Sequence, residues 1–108
     1  MTEPTWIWVY HAPPDQSPTS WTGRRFYGDK DLNSWIDRYR PTLVLCGHVH
    51  ESPFADDGGW CDHIGTTWVL NAGRESGPRP AHAVIDTGSG TLTWSSAEGV
   101  GEVSFAPV

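Results

Sequence analysis

An amphipathic segment between two short apolar runs constrains this chain most. In residues 29–40, DKDLNSWIDRYR, Leu32, Trp35, Ile36 and Tyr39 recur at i, i+3, i+4 and i+7, the spacing of one helical face. Asp29 suits an N-cap and Asp31 favours the positive end of the helix dipole. Arg38 and Arg40 fall in the last turn, and Pro41 ends the helix. The apolar face is predicted to be core. Before it, residues 5–10, TWIWVY, are β-branched and aromatic, and after it comes the apolar run Leu43-Val44-Leu45. Strand, helix, strand makes a βαβ unit, so the two strands are predicted to be parallel and to end on the same edge.

Polar residues stand at both strand ends. The first strand runs into His11-Ala12-Pro13-Pro14, where the prolines stop further pairing. The second stops at Cys46-Gly47 and continues as His48-Val49-His50-Glu51. Carboxyl ends of parallel strands are where α/β proteins place chemistry. Two imidazoles at i and i+2 suit metal ligation, and they suit a surface loop as well. His11 alone reads equally as a strand-end histidine bonded to backbone. The βαβ connection brings His11, His48 and His50 to one edge, which makes them the candidate metal ligands.

The rest of the chain reads as β-structure and loops. Residues 66–70, 81–86 and 91–95 are predicted strands, the last two joined by the hairpin turn at 87–90, and residues 102–105 a short final one. Residues 15–27, DQSPTSWTGRRFY, form a polar loop in which Arg24 or Arg25 is either solvated or a phosphate partner. Residues 51–65, rich in Asp and Gly, are predicted to be a solvated lid, with no cysteine–histidine spacing for a second metal site. Asn71-Ala72-Gly73 carries turn chemistry. Seven Trp residues serve core packing. Trp21 and Trp60, in long loops, are alternatively pocket residues. His82 reads as structural or exposed.

With 108 residues, one domain is the natural count. Lys+Arg number 7 against Asp+Glu 13, a formal charge of -6. That argues against nucleic acid as partner, because no basic stripe is present to release counterions. No targeting segment or membrane span is legible. Cys46, closing an apolar run, reads as a buried free thiol. Two distant cysteines make no disulfide framework, so a reducing cytoplasm is the expected compartment.

The strand into His11-Ala12-Pro13-Pro14, the Gly28-Asp29-x-x-Leu32 helix start, the strand into Gly47-His48-Val49-His50 and the later Asn71-Ala72-Gly73 resemble the C-terminal half of the calcineurin-like metallophosphoesterases. The resemblance spans Thr5 to about Asp86. It implies an α/β fold that is half of an αββα sandwich, a βαβ unit followed by antiparallel strands. It also implies hydrolysis of a phosphomonoester or phosphodiester at a dinuclear centre of Mn, Fe or Zn, by attack of metal-bound hydroxide. His11 and His48 resemble ligands of the second metal and His50 a ligand of the first, and Asn71 and Gly73 resemble loop-shaping residues. No catalytic residue is assigned. The family's N-terminal Asp-x-His, bridging Asp and Asn-His motifs have no match here. The chain is therefore expected to be a partial domain, inactive alone, that self-associates or binds a complementary N-terminal half. The alternatives are a non-catalytic binding or oligomerisation remnant, and a mononuclear zinc hydrolase built on His11, His48 and His50.

Overall fold

The computed structural model describes residues 5–106. A four-stranded sheet contains β1 (Ile7–Val9), β2 (Leu43–Cys46), β3 (Cys61–Ile64) and β4 (Thr67–Asn71) in the order β1-β2-β4-β3. The β1–β2 and β2–β4 pairs are parallel, and β3 pairs antiparallel with β4. A second sheet is an antiparallel meander of β5 (His82–Asp86), β6 (Thr91–Ser96) and β7 (Gly99–Ser104). The α-helix α1 (Lys30–Tyr39), preceded by a short 3-10 turn at Pro18–Ser20, connects β1 to β2, so the strand–helix–strand reading of the sequence is what forms.

Alternation along the strands sorts the core into two layers. Val44 and Val69 face α1 and pack with Leu32 and Ile36, and Trp8, Tyr10 and Cys46 close around them. Leu43 and Leu70 face the other way and meet Leu92 of the second sheet and Phe105 just past its last strand, with Trp60 and Trp68 at the margin. The protein is thus mixed α/β: helix, central sheet, second sheet.

The helix starts as its sequence dictates. Asp29 Oδ1 accepts from the Asp31 and Leu32 amides at 2.8 and 3.3 Å, an N-cap. Arg40 closes it with φ 49°, and its N–H bonds Ile36 O. The predicted all-core face is only half buried. Leu32 and Ile36 are sealed, whereas Trp35 and Tyr39 are 41% and 47% exposed. They sit over β1, which among the described residues is an edge strand with no further strand beside it. Val9 is 83% exposed on the opposite face of β1.

Two long loops are more ordered than their composition suggests. The expected lid at 51–65 contains β3, whose register against β4 pairs Asp62 with Val69 and His63 with Trp68. Only its first part is loop. Ser17 Oγ donates to Asp62 Oδ2 at 2.8 Å, so this acidic residue ties β3 to the other loop rather than lying solvated. Trp60 stacks on Trp94, centroids 5.9 Å apart, and so packs at the margin of the core. The first loop has its ends bridged at Pro14 and Asp29, a closed Ω-like loop. Ser17, Thr19 and Ser20 within it are buried. Gly28 makes the closure possible, since a Cβ there would lie 2.4 Å from Asp15 Cα.

Among the described residues, no helix is long and apolar enough to cross a membrane.

Candidate functional site

His11 and His48 meet at the carboxyl edge of the central sheet. β1 and β2 are parallel, and the pairing runs on past both strands: Tyr10 N–H bonds Leu45 O, and Gly47 N–H bonds His11 O, each at 2.9 Å. These bonds hold the two strand exits side by side. His11 Nε2 lies 3.1 Å from His48 Nδ1, with ring centroids 4.8 Å apart. One ring donates and the other accepts, as the tautomers allow.

The backbone at His48 is unusual. Val49 N–H bonds Gly47 O at 2.7 Å across one residue, and His48 has φ 67°. That is a γ-turn with a bulky residue at its centre, a strained arrangement that the packing around it must hold. Val49, next along, is buried and acts as the anchor. Its carbonyl accepts from Asn71 Nδ2 at 2.7 Å. Asn71 is fully buried at the end of β4. Its Nδ2 also approaches Thr19 O at 2.9 Å and Ser52 Oγ at 3.1 Å, and its Oδ1 accepts from Gly73 N–H. Turn chemistry was legible at 71–73. The same amide also ties three segments together behind the histidines.

His50 belongs to the same turn. Its backbone carbonyl accepts from Arg74 N–H at 3.0 Å, and Gly73 is close enough that a Cβ would lie 2.9 Å from that oxygen. Its ring is exposed. Among the described residues, no group of three or more His, Cys, Asp or Glu is placed to hold one metal ion. The structure therefore brings together His11 and His48 and leaves the His50 ring outside their pair.

Two imidazole nitrogens on one tetrahedral zinc, each about 2.0–2.1 Å from it, lie about 3.3 Å apart. The 3.1 Å separation here fits two adjacent ligands of one ion, with the shared proton giving way to the metal. The donor set is incomplete, since a zinc site needs about three protein ligands. Mn and Fe sites draw further on carboxylates, and among the described residues none forms a ligand group with the pair.

An open cleft of about 460 Å3 lies beside His48, between Ala12 and Tyr27 on one side and the first turn of α1 on the other. Asp29 lines it, but its carboxylate is occupied. Besides capping α1, Asp29 Oδ2 accepts from Tyr10 Oη at 2.6 Å. That bond holds the Asp29 carboxyl below its ordinary pKa and raises the Tyr10 phenol. Tyr27 projects over the cleft, its ring centroid 5.4 Å from His48. Neither Trp21 nor Trp60 lines the cleft; Trp21 packs on Phe26 at 4.9 Å.

The remaining titratable candidates lie elsewhere. His82 is exposed on β5, Nδ1 bonded to Pro80 O. His63 stacks flat on Trp68, centroids 4.1 Å apart, on the far edge strand. Cys46 is half-buried and free, and burial pushes its thiol up to about 12. Tyr27 was missed at the sequence level. Gly23 between Trp21 and Phe26 was the available hairpin signal.

No protein-family model matches the chain, and neither the curated proteins nor the solved structures compared with it provide a match.

Proposed function

We propose that this chain contributes one wall of a metal-dependent phosphoesterase centre, as in the C-terminal half of a calcineurin-like metallophosphoesterase. The observation that carries the reading is the pair His11 Nε2 and His48 Nδ1, 3.1 Å apart at the carboxyl edge of a parallel sheet, one of them on a strained turn. Strain of this kind is a mark of functional positions when the surroundings enforce it. The helix–sheet–sheet layering agrees with half of an αββα sandwich, and the exposed edge of β1 and its Val9 face agree with a complementary half or a second copy packing there. A substrate would be a phosphomono- or diester.

In this role His11 and His48 hold one divalent ion, Mn, Fe or Zn, and the Gly47–Val49 turn fixes the direction of the second imidazole. When bound, the metal supplies charge to stabilise the phosphoryl oxygens as they gain electron density. Carboxylate ligands would come from polypeptide beyond the described residues. Cations held close together repel, and a bridging anion is what offsets this. The three-histidine mononuclear site is the weaker reading, because the His50 ring does not join the pair. A non-catalytic remnant would leave the pair empty or hold one ion there weakly.

The test is a zinc titration followed through the imidazole 15N resonances. Zinc should move His11 Nε2 and His48 Nδ1 together, and His11→Ala or His48→Ala should abolish the response of the other ring. A silent pair at millimolar zinc, or a response indifferent to both substitutions, would refute the reading.

A further inference from the structure

Exposed apolar side chains gather at one place in the described residues. Trp6, Ile7, Val9, Trp35 and Tyr39 all stand on or over the open edge of the central sheet. Trp6 and Trp8 share the α1 face of β1, and with Trp35 and Tyr39 they wall an apolar hollow of about 320 Å3. Ile7 and Val9 lie on the other face. The backbone between the two faces is unpaired. Trp6 O accepts from Leu43 N–H, and Tyr10 N–H bonds Leu45 O, so Trp6, Trp8 and Tyr10 turn toward β2. Alternation then turns the N–H and C=O of Ile7 and Val9 outward. Among the described residues the edge strands are β1, β3, β5 and β7. Asp62 in β3, Asp86 in β5 and Glu102 in β7 put charge on three of these edges, which discourages pairing with another chain. The β1 run, IWV, carries no charge.

We infer that this edge is a homodimer interface, in which β1 pairs antiparallel with β1 of a second copy about a two-fold axis at Trp8. An edge that is apolar on both faces needs a strand that is apolar on both faces, and β1 is itself such a strand. In this register Ile7 exchanges both backbone bonds with the partner's Val9, and Val9 with the partner's Ile7, so the outward backbone groups of the strand are used. Directly opposed residues share a face. Beside α1, Trp8 meets the partner's Trp8 and Trp6 meets the partner's Tyr10. On the other face, Ile7 covers the partner's Val9. The two four-stranded sheets become one, with both α1 helices on the same side. The five exposed side chains supply roughly 550–1,000 Å2 over two copies, at about 150–250 Å2 for a whole aromatic side chain and about 60–120 Å2 for Val or Ile. The strand backbones and half-buried Trp8 and Tyr10 add to this, which brings the interface to the small end of the specific class, about 1,200 Å2. A weak dimer follows, with Kd on the order of 10 μM. The paired strands point in opposite directions, so the two His11–His48 pairs stand at opposite ends and their clefts stay open. The inference does not depend on the metal reading.

The test is sedimentation equilibrium of the whole chain from about 1 μM to about 1 mM, a span that brackets such a Kd. A monomer–dimer equilibrium is expected. Val9→Lys and Trp6→Glu, on opposite faces of the edge, should each weaken it by about tenfold or more. Val100→Lys, on exposed β7, should leave it within about twofold. Amide hydrogen exchange on the wild type gives a readout that needs no substitution. The outward Ile7 and Val9 amides should gain protection as protein concentration rises, while the Trp8 amide, paired with β2, stays protected throughout. A monomer at every concentration, as for an edge reserved for a different polypeptide, overturns the inference. So does association that continues past the dimer, that survives both edge substitutions, or that leaves the Ile7 and Val9 amides unprotected.

Discussion

Asn71→Ala should be the most damaging single substitution around the candidate site. The side chain is fully buried, and its amide group serves Thr19 O, Val49 O and Gly73 N–H at 2.7–3.0 Å. Nδ2 has two protons, and the two shortest contacts use them. Truncation strands two carbonyls and one amide, all drawn from buried or half-buried segments. Each buried polar group left unpaired costs about 1–3 kcal/mol, and a water entering the vacated space can satisfy part of this. A net loss of about 3–5 kcal/mol follows, a large fraction of the roughly 5–15 kcal/mol that holds a domain together. Asn71→Asp keeps the shape but points a second oxygen at two carbonyls, so it should be at least as harmful at neutral pH. Urea unfolding measures both, with unchanged m-values marking intact two-state behaviour. The His48 ring resonances in the Ala variant should also broaden, because Val49 loses its anchor. A loss below about 1 kcal/mol for Asn71→Ala would show that the three segments are held by something else.

Three other outcomes are expected. His48→Gly should leave stability unchanged or raise it by up to about 1 kcal/mol, since glycine takes positive φ without strain, while abolishing the zinc response of His11; a clear destabilisation would mean that the turn is not strained. Tyr10→Phe should narrow the stability plateau at both ends. A lowered Asp29 pKa contributes stability that is present above its unfolded value, near 3.8, and lost as pH falls through the folded one. A raised Tyr10 pKa contributes stability lost as pH rises through its folded value, above 10.0. Urea midpoints from pH 2 to 11 that superimpose for wild type and variant would count against that bond. Val9→Lys, at a position 83% exposed on an edge strand, should suppress any self-association seen by sedimentation with little change in unfolding; loss of fold would show that Val9 is packed in solution.

Much of the architecture was legible because it rests on local periodicity. The capped helix, the β1–α1–β2 unit and the β5–β6 hairpin follow from spacing and turn residues, and the parallel pairing then places His11 beside His48. The Cys61–Ile64 strand was hidden. Its run, CDHI, alternates too briefly and is too polar to signal a strand, and it forms because β4 offers it an edge. The burial of Ser17 and Thr19 and the tie from Ser17 to Asp62 were equally hidden, since hydrogen bonds between distant segments leave no periodic trace.

The sequence by itself determined which edge of the sheet carries the histidines, because chain direction and handedness leave one arrangement for a helix joining two parallel strands. Only the tertiary structure decided which histidines meet. The left-handed turn at His48 aims its ring at His11 and leaves the His50 ring outside, a choice made by the buried Val49 and Asn71 pulling the backbone inward. It also decided that a loop rich in polar residues folds into a closed arm that sets Tyr27 beside His48, through contacts that no local pattern encodes.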